Sequence, residues 1–141
     1  MILPARTDTE KAFLVSYVAK RMNVCASQIE YGRPVCMLAA VREDAVVGAV
    51  VYGNLSGADV ELHMTGEVGW LTKGNLRTIF EYPFKELGCR RVTAWIARKN
   101  KRSRDLAERL GFKLEGVRRK GCGNGADAIM YGLLAEECRW I

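Results

Sequence analysis

Two hydrophobic periods alternate along the chain, one of three to four residues and one of two, and they divide it into helical and extended stretches. Thr7 and Asp8 are helix-capping residue types, and Glu10 stands three after Thr7, a capping-box pattern ahead of Ala12, Phe13, Val15, Tyr17, Val18 and Met22. This predicts a first helix from about 8 to 22. From Pro34 the pattern turns sheet-like: VCMLAAV, the turn-prone Arg42-Glu43-Asp44, then AVVGAVVYGNL, which together read as a hairpin. After a turn at Ser56-Gly57-Ala58-Asp59, VELHMT alternates, with Val60, Leu62 and Met64 on one face and Glu61, His63 and Thr65 on the other.

Thr72 can cap a helix running to Leu87, because Leu76, Ile79, Phe80, Phe84 and Leu87 recur at helical spacing. Pro83 is expected to kink it near its end, and Gly88 to close it. RRVTAWIA reads as a strand, and Ser103 followed by DLAERLGF as a short helix ended by Gly111. FKLEGVRR and AIMYGLL form a final strand pair across the glycine-rich loop from Lys120 to Gly125. The order of helix, three strands, helix, strand, helix and two strands predicts a mixed α/β (α+β) fold around one sheet, in a single domain spanning 1–141.

Composition narrows the class. The chain is 49% hydrophobic and 27% charged, ordinary values for a folded globular protein. No run reaches the ~20 apolar residues of a membrane span, and MILPARTDTEK lacks the apolar core of a secretory signal, so no membrane partner and a cytoplasmic location are expected. The five cysteines (Cys25, Cys36, Cys89, Cys122 and Cys138) form no C-x-x-C pair and have one histidine for company, which predicts reduced thiols and no metal site. Charge is uneven: between Cys89 and Lys120 twelve Arg or Lys face three acidic residues, a local charge of +9. Such a run is either a solvated basic face or a site for a polyanion, whether a phosphorylated cofactor or nucleic acid.

The segment ELGCRRVTAWIARKNKRSRDLAERLGFKLEGVRRKG carries a recurrent pattern: Phe84 to Gly88, Arg91-Val92, Asn100 with Ser103, Leu110-Gly111-Phe112 and Glu115-Gly116. With the earlier hairpin and its Gly48, this resembles the GCN5-related N-acetyltransferase (GNAT) family over residues 35 to 134, especially the branch that modifies protein N-termini and ribosomal proteins. IFEYPF and CRWI also resemble segments of small acetyltransferase-like proteins encoded by phages and prophages. The resemblance implies a mixed, mostly antiparallel sheet flanked by helices, with strands 4 and 5 splayed and acetyl-coenzyme A (acetyl-CoA) in the opening as acyl donor. Its pantetheine arm would pair with fourth-strand backbone between Glu61 and Gly66, including Leu62 and Met64. Its pyrophosphate would meet the next helix's N-terminus at Thr72, Lys73, Gly74 and Asn75, where free N–H groups and the dipole favour an anion. Asn100 is implied to point at the pantetheine arm; Ser103 and Arg104 complete the cofactor set, with a helix cap as the competing role for Ser103.

Two departures from that family stand out. The usual phosphate loop, Q/R-x-x-G-x-G/A, is replaced by Glu67-Val68-Gly69-Trp70-Leu71-Thr72, with Lys73 and Gly74 offering a charge and a close backbone approach instead. Ala107 stands where many members carry a tyrosine that protonates the departing thiolate. Because an ammonium group has no lone pair, the acceptor must also lose a proton, and Glu61 and His63 are the candidate catalytic bases on the strand where several members keep one. The acceptor stays open among a protein N-terminus, a lysine and a small molecule such as a polyamine or an aminoglycoside, and homodimerisation stays open too. The rival reading is a catalytically weak module on the same fold that binds nucleic acid or a host protein through its basic segment.

Overall fold

The β-branched run after Asp44 becomes the heart of a seven-stranded sheet because its alternate side chains are buried on both faces. In the computed structural model, which describes residues 1–22 and 26–141, the strands are β1 (Ile2–Pro4), β2 (Pro34–Arg42), β3 (Ala45–Ser56), β4 (Asp59–Gly66), β5 (Arg91–Ala97), β6 (Lys113–Arg118) and β7 (Ala128–Leu134). The helices are α1 (Asp8–Met22), α2 (Ala26–Tyr31), α3 (Lys73–Glu81) and α4 (Lys101–Leu110). The sheet order is β1-β2-β3-β4-β5-β7-β6, antiparallel throughout except for β4 and β5, which run parallel because α3 returns the chain across the sheet.

Each face has its own core. On one, Leu14, Val15, Val18 and Ala19 of α1 pack on Met37, Ala49 and Val51. On the other, Tyr52, Val60 and Leu62 meet Leu76, Ile79 and Phe80 of α3 and Leu110 of α4. The buried Tyr52 hydroxyl donates to the Ile79 carbonyl at 2.6 Å, so α3 is fixed to the centre of the sheet. The start of α1 follows its capping box: Glu10 accepts from the Thr7 N–H at 2.9 Å, and the Glu10 N–H donates to Thr7 Oγ1 at 3.1 Å. The backbone N–H groups of Thr7 and Arg6, both donating to Glu10 Oε1, hold the Glu10 carboxyl below its ordinary value.

Local rules and structure part company in four places. Pro83 does not simply kink α3: the chain widens into a π-helical turn, Tyr82–Glu86, in which the Leu87 N–H reaches the Tyr82 carbonyl at 2.9 Å. Gly88 then ends the unit at φ 70°, the left-handed conformation expected of it. The last helix begins at Lys101, not after Ser103, because Asn100 takes the cap: its Oδ1 accepts the Ser103 N–H at 3.2 Å. β1 and α2, three and six residues long, are additional elements too short to show a period.

Among the described residues Cys36, Cys89, Cys122 and Cys138 are free thiols, and burial pushes Cys36, Cys89 and Cys138 above the ordinary thiol value; Cys25 lies outside the described residues. No metal-binding cluster occurs among the described residues, nor a helix long and apolar enough to cross a membrane. The Tyr17 hydroxyl on α1 is buried with no hydrogen-bond partner among them. Tyr17→Phe is therefore expected to leave stability unchanged or raise it by about 1 kcal/mol, which urea denaturation measures.

Candidate functional site

Pairing between β4 and β5 stops after three rows, Asp59 with Arg91, Val60 with Val92 and Glu61 with Thr93. β4 nevertheless stays paired to β3 as far as Gly66, opposite Gly48. From Leu62 to Gly66 the β5-facing edge of β4 is therefore without a strand partner, and the two strands splay apart. Backbone N–H and C=O groups are obligatory hydrogen-bonding groups, so this edge can pair with an extended amide-bearing ligand. Leu62 is buried in the α3-side core and Met64 is half-buried against it, so their side chains belong to that core and only their backbone borders the opening.

The outer end of the opening is shaped by Trp70. Its indole lies flat on the glycines of the β3–β4 pair: a Cβ on Gly48 would come within 2.2 Å of the ring and one on Gly66 within 2.6 Å. The replacement for the glycine-rich phosphate loop is thus an anchored loop, with Trp70 only 6% exposed. Asn75 Nδ2 donates to the Trp70 carbonyl at 2.7 Å, and Thr72 Oγ1 accepts from the Asn75 N–H at 3.1 Å. Asn75 is consequently spent on structure, while Lys73 and Gly74 begin α3 and bring their N–H groups to its positive end. A Cβ on Gly74 would meet only Thr72 Oγ1, at 4.0 Å, so the protein leaves that approach open to an anion.

The opposite wall starts where β5 ends and α4 begins. Asn100 Oδ1 is committed to its cap, Ser103 sits in the first turn, and Arg104 folds inward, donating to the Tyr131 hydroxyl at 3.2 Å and the Arg98 carbonyl at 3.1 Å. Four of the segment's twelve cations are likewise internally engaged. Arg98 pairs with Asp127 at 3.4 Å, Lys101 with Asp105 at 2.8 Å, Arg91 with Glu115 at 2.6 Å, and Lys113 with Glu137. Ala107 is 6% exposed and offers no proton donor. Two shallow hollows, of about 550 Å³ beside Arg102, Asp105, Glu108 and Arg109 and about 570 Å³ beside Arg119, Lys120 and Asp127, include no residue of β4. They do not coincide with the opening, which strand geometry alone defines.

Glu61 and His63 share the α1-side face of β4, as alternation requires. His63 is half-buried opposite Val51, and burial lowers its pKa from the ordinary 6.5, an effect the Glu61 charge partly offsets. Glu61 accepts from Asn54 Nδ2 at 2.8 Å and from Trp95 Nε1 at 3.1 Å. Neither donor is evident in the sequence, since Asn54 and Trp95 both read simply as parts of strands. On the same side Arg21 of α1 donates to the Gly66 carbonyl at 2.7 Å, tying the helix to the end of β4.

This sheet, with its single parallel pair opening between β4 and β5, is the GNAT fold. Similar solved structures include mutant forms of the spermidine/spermine N-acetyltransferase SpeG from Vibrio cholerae, 15% identical with a TM-score of 0.70, covering 96% of this chain and 94% of that one. A GNAT-family acetyltransferase from Bacillus anthracis is 19% identical with a TM-score of 0.68, over 96% of both chains. The ribosomal-protein-S5-alanine acetyltransferase from Vibrio fischeri is 18% identical with a TM-score of 0.63, covering 99% of this chain and 80% of that one. At such identities the likeness is one of fold. No family model and no curated protein matches the chain.

Gly48→Ala must displace the Trp70 ring, and a loss of about 1–3 kcal/mol is expected in denaturant unfolding. For His63 the sign follows from its lowered folded pKa: the unfolded imidazole binds the proton more tightly. Its contribution is complete above the unfolded value of 6.5 and declines as pH falls below that towards the lowered folded value. His63→Gln should flatten this acid limb, as read from denaturation midpoints at neutral and mildly acid pH.

Proposed function

We propose that the protein is an N-acetyltransferase, a single domain over 1–141 that passes the acetyl group of acetyl-CoA to an amine by direct attack on the thioester. The observation that carries this reading is the unpartnered β4 edge from Leu62 to Gly66, with α3 following β4 and α4 following β5 along the chain. The edge suits the pantetheine amides, and the N–H groups of Lys73 and Gly74 suit the pyrophosphate. The start of α4 brings Asn100, Ser103 and Arg104, and the Asn100 amide nitrogen makes no hydrogen bond among the described residues.

The reaction needs little beyond placement and one base. An ammonium group gives up a proton to Glu61 or His63, directly or through water, and the freed lone pair attacks the thioester carbonyl carbon. The C–S bond then breaks and sulfur leaves with its electron pair. A second nitrogen proton is lost as the amide forms and ends on sulfur, giving the CoA thiol. With alanine at 107, the thiolate leaves without a tyrosine acid, which a thiol pKa of ~8.5 permits. An α-amine near pKa ~7.8 is easier to deprotonate than a lysine near ~10.4, so a peptide N-terminus is the acceptor the chemistry favours, in line with the resemblance to the N-terminal-acetylating branch.

Acetyl-CoA in hundredfold excess over its Kd should stabilise the protein by about 2.7 kcal/mol, and duplex DNA should not. Replacing whichever of Glu61 and His63 is the base, by Gln or Asn, should lower turnover by roughly 10²- to 10⁴-fold with acetyl-CoA affinity intact. Calorimetric titration and steady-state rates on a free-amine peptide check both. Full turnover in both single variants would leave positioning and backbone polarisation as the source of catalysis.

A further inference from the structure

Three carboxylates lie close together where β4 meets β5, and one of them is treated differently. Asp59 receives the Thr93 hydroxyl at 2.8 Å and the Arg91 guanidinium at 3.4 Å, and Glu115 pairs with Arg91 at 2.6 Å. Glu61 has no ion-pair partner among the described residues. Instead both its oxygens are held by uncharged donors, Asn54 Nδ2 on Oε2 at 2.8 Å and Trp95 Nε1 on Oε1 at 3.1 Å. An ionised carboxylate has about four acceptor positions, so two remain for a ligand.

The donors come from the strands on either side, and each is placed at some conformational cost or with extra support. Asn54 follows Gly53, the last β3 residue in regular register with β4, at the irregularity before Ser56. Its φ of 48° is left-handed, a conformation rare for side-chain-bearing residues and least rare for Asn. Its backbone N–H is held by the Gly32 carbonyl at 2.7 Å, and this bulge aims the amide at Glu61. Trp95 lies two residues beyond Thr93, where β5 has already left β4, so its N–H bridges the mouth of the opening. The Arg118 guanidinium covers the indole at 4.2 Å. His63 makes no hydrogen bond among the described residues.

We propose that Asn54 and Trp95 are positioning residues that hold Glu61 oriented but without a counter-charge, so that Glu61 rather than His63 receives the acceptor's ammonium group and takes its proton. This rests on the acetyl-transfer reading above. A protein cation beside Glu61 would already occupy the place of the incoming ammonium, whereas two neutral N–H donors fix the carboxylate and leave its charge to the substrate. The proton passes from the ammonium nitrogen to a Glu61 oxygen, the nitrogen keeps the electron pair for attack, and Glu61 later releases the proton to water.

A double-mutant cycle tests this, using acetyl-CoA and a panel of spermidine, a lysine side-chain amine and a short peptide with a free N-terminus. Trp95→Phe removes the N–H but keeps a ring, and Asn54→Gly removes the amide at a position glycine tolerates. Each is expected to lower kcat on the accepted amine by about 10²-fold, with the Kd for acetyl-CoA and the melting temperature little changed. In a Glu61→Gln background the same changes should alter kcat by no more than about twofold, because their effect runs through Glu61. Trp95→His, which restores a ring N–H, should recover part of the loss. Losses that multiply in the Gln background, or full activity in Trp95→Phe, overturn the inference. If Trp95→Phe does not fold, the Asn54→Gly arm decides alone. A wild-type protein that neither acetylates any panel amine nor gains melting temperature with acetyl-CoA overturns the acetyl-transfer reading itself, and the positioning roles fall with it.

Discussion

Everything that gives this molecule a site follows from two neighbouring strands ceasing to pair after Glu61 and Thr93. A sheet normally satisfies its backbone by continuing, and an interior edge left open is costly unless something else bonds to it. Here β3 holds one side of β4 to its end while β5 turns away on the other, so an unpaired edge lies in the middle of the sheet rather than at its margin. The parallel sense of this one pair matters too. It requires a crossover, and the crossover helix α3 delivers its N-terminus to the same opening from which the strands diverge.

The opening is held in shape from outside. Gly48 and Gly66 face each other across β3 and β4 and have no side chains, so the Trp70 ring can lie on bare backbone and fix the loop that leads into α3. A flexible glycine loop would wrap a phosphate more closely, and the anchored loop trades that wrapping for rigidity. What remains for an anion is the dipole end of α3 with two N–H groups and one lysine.

Electrostatics divides the molecule the same way. Four of the twelve cations in the basic run pair with Asp127, Asp105, Glu115 and Glu137, three of these acids distant along the chain from their partners, so that part of the run serves as folding contacts. Surface pairs of this kind contribute little stability individually. Glu61, which has no ion-pair partner among the described residues, stands at the mouth of the opening.

How much of this was legible in one dimension depends on the range of the interaction concerned. The capping box at Thr7 and Glu10, the alternation from Val60 to Met64, and the glycines at 88 and 111 act within a few residues, so the sequence alone determined α1, β4 and the ends of the helical units. The same alternation put Glu61 and His63 on one face. Competition between nearby groups was already beyond it: Asn100 and Ser103 can both cap, and the exit of the chain from β5 at Ala97 decided for Asn100. Only the tertiary structure placed β7 between β5 and β6, ended the β4–β5 pairing at Thr93, and brought Asn54 and Trp95 from two different strands onto one carboxylate. Strand partners and cross-strand hydrogen bonds join residues that are neighbours in space alone, and local periodicity records which face a residue is on without recording what lies opposite it.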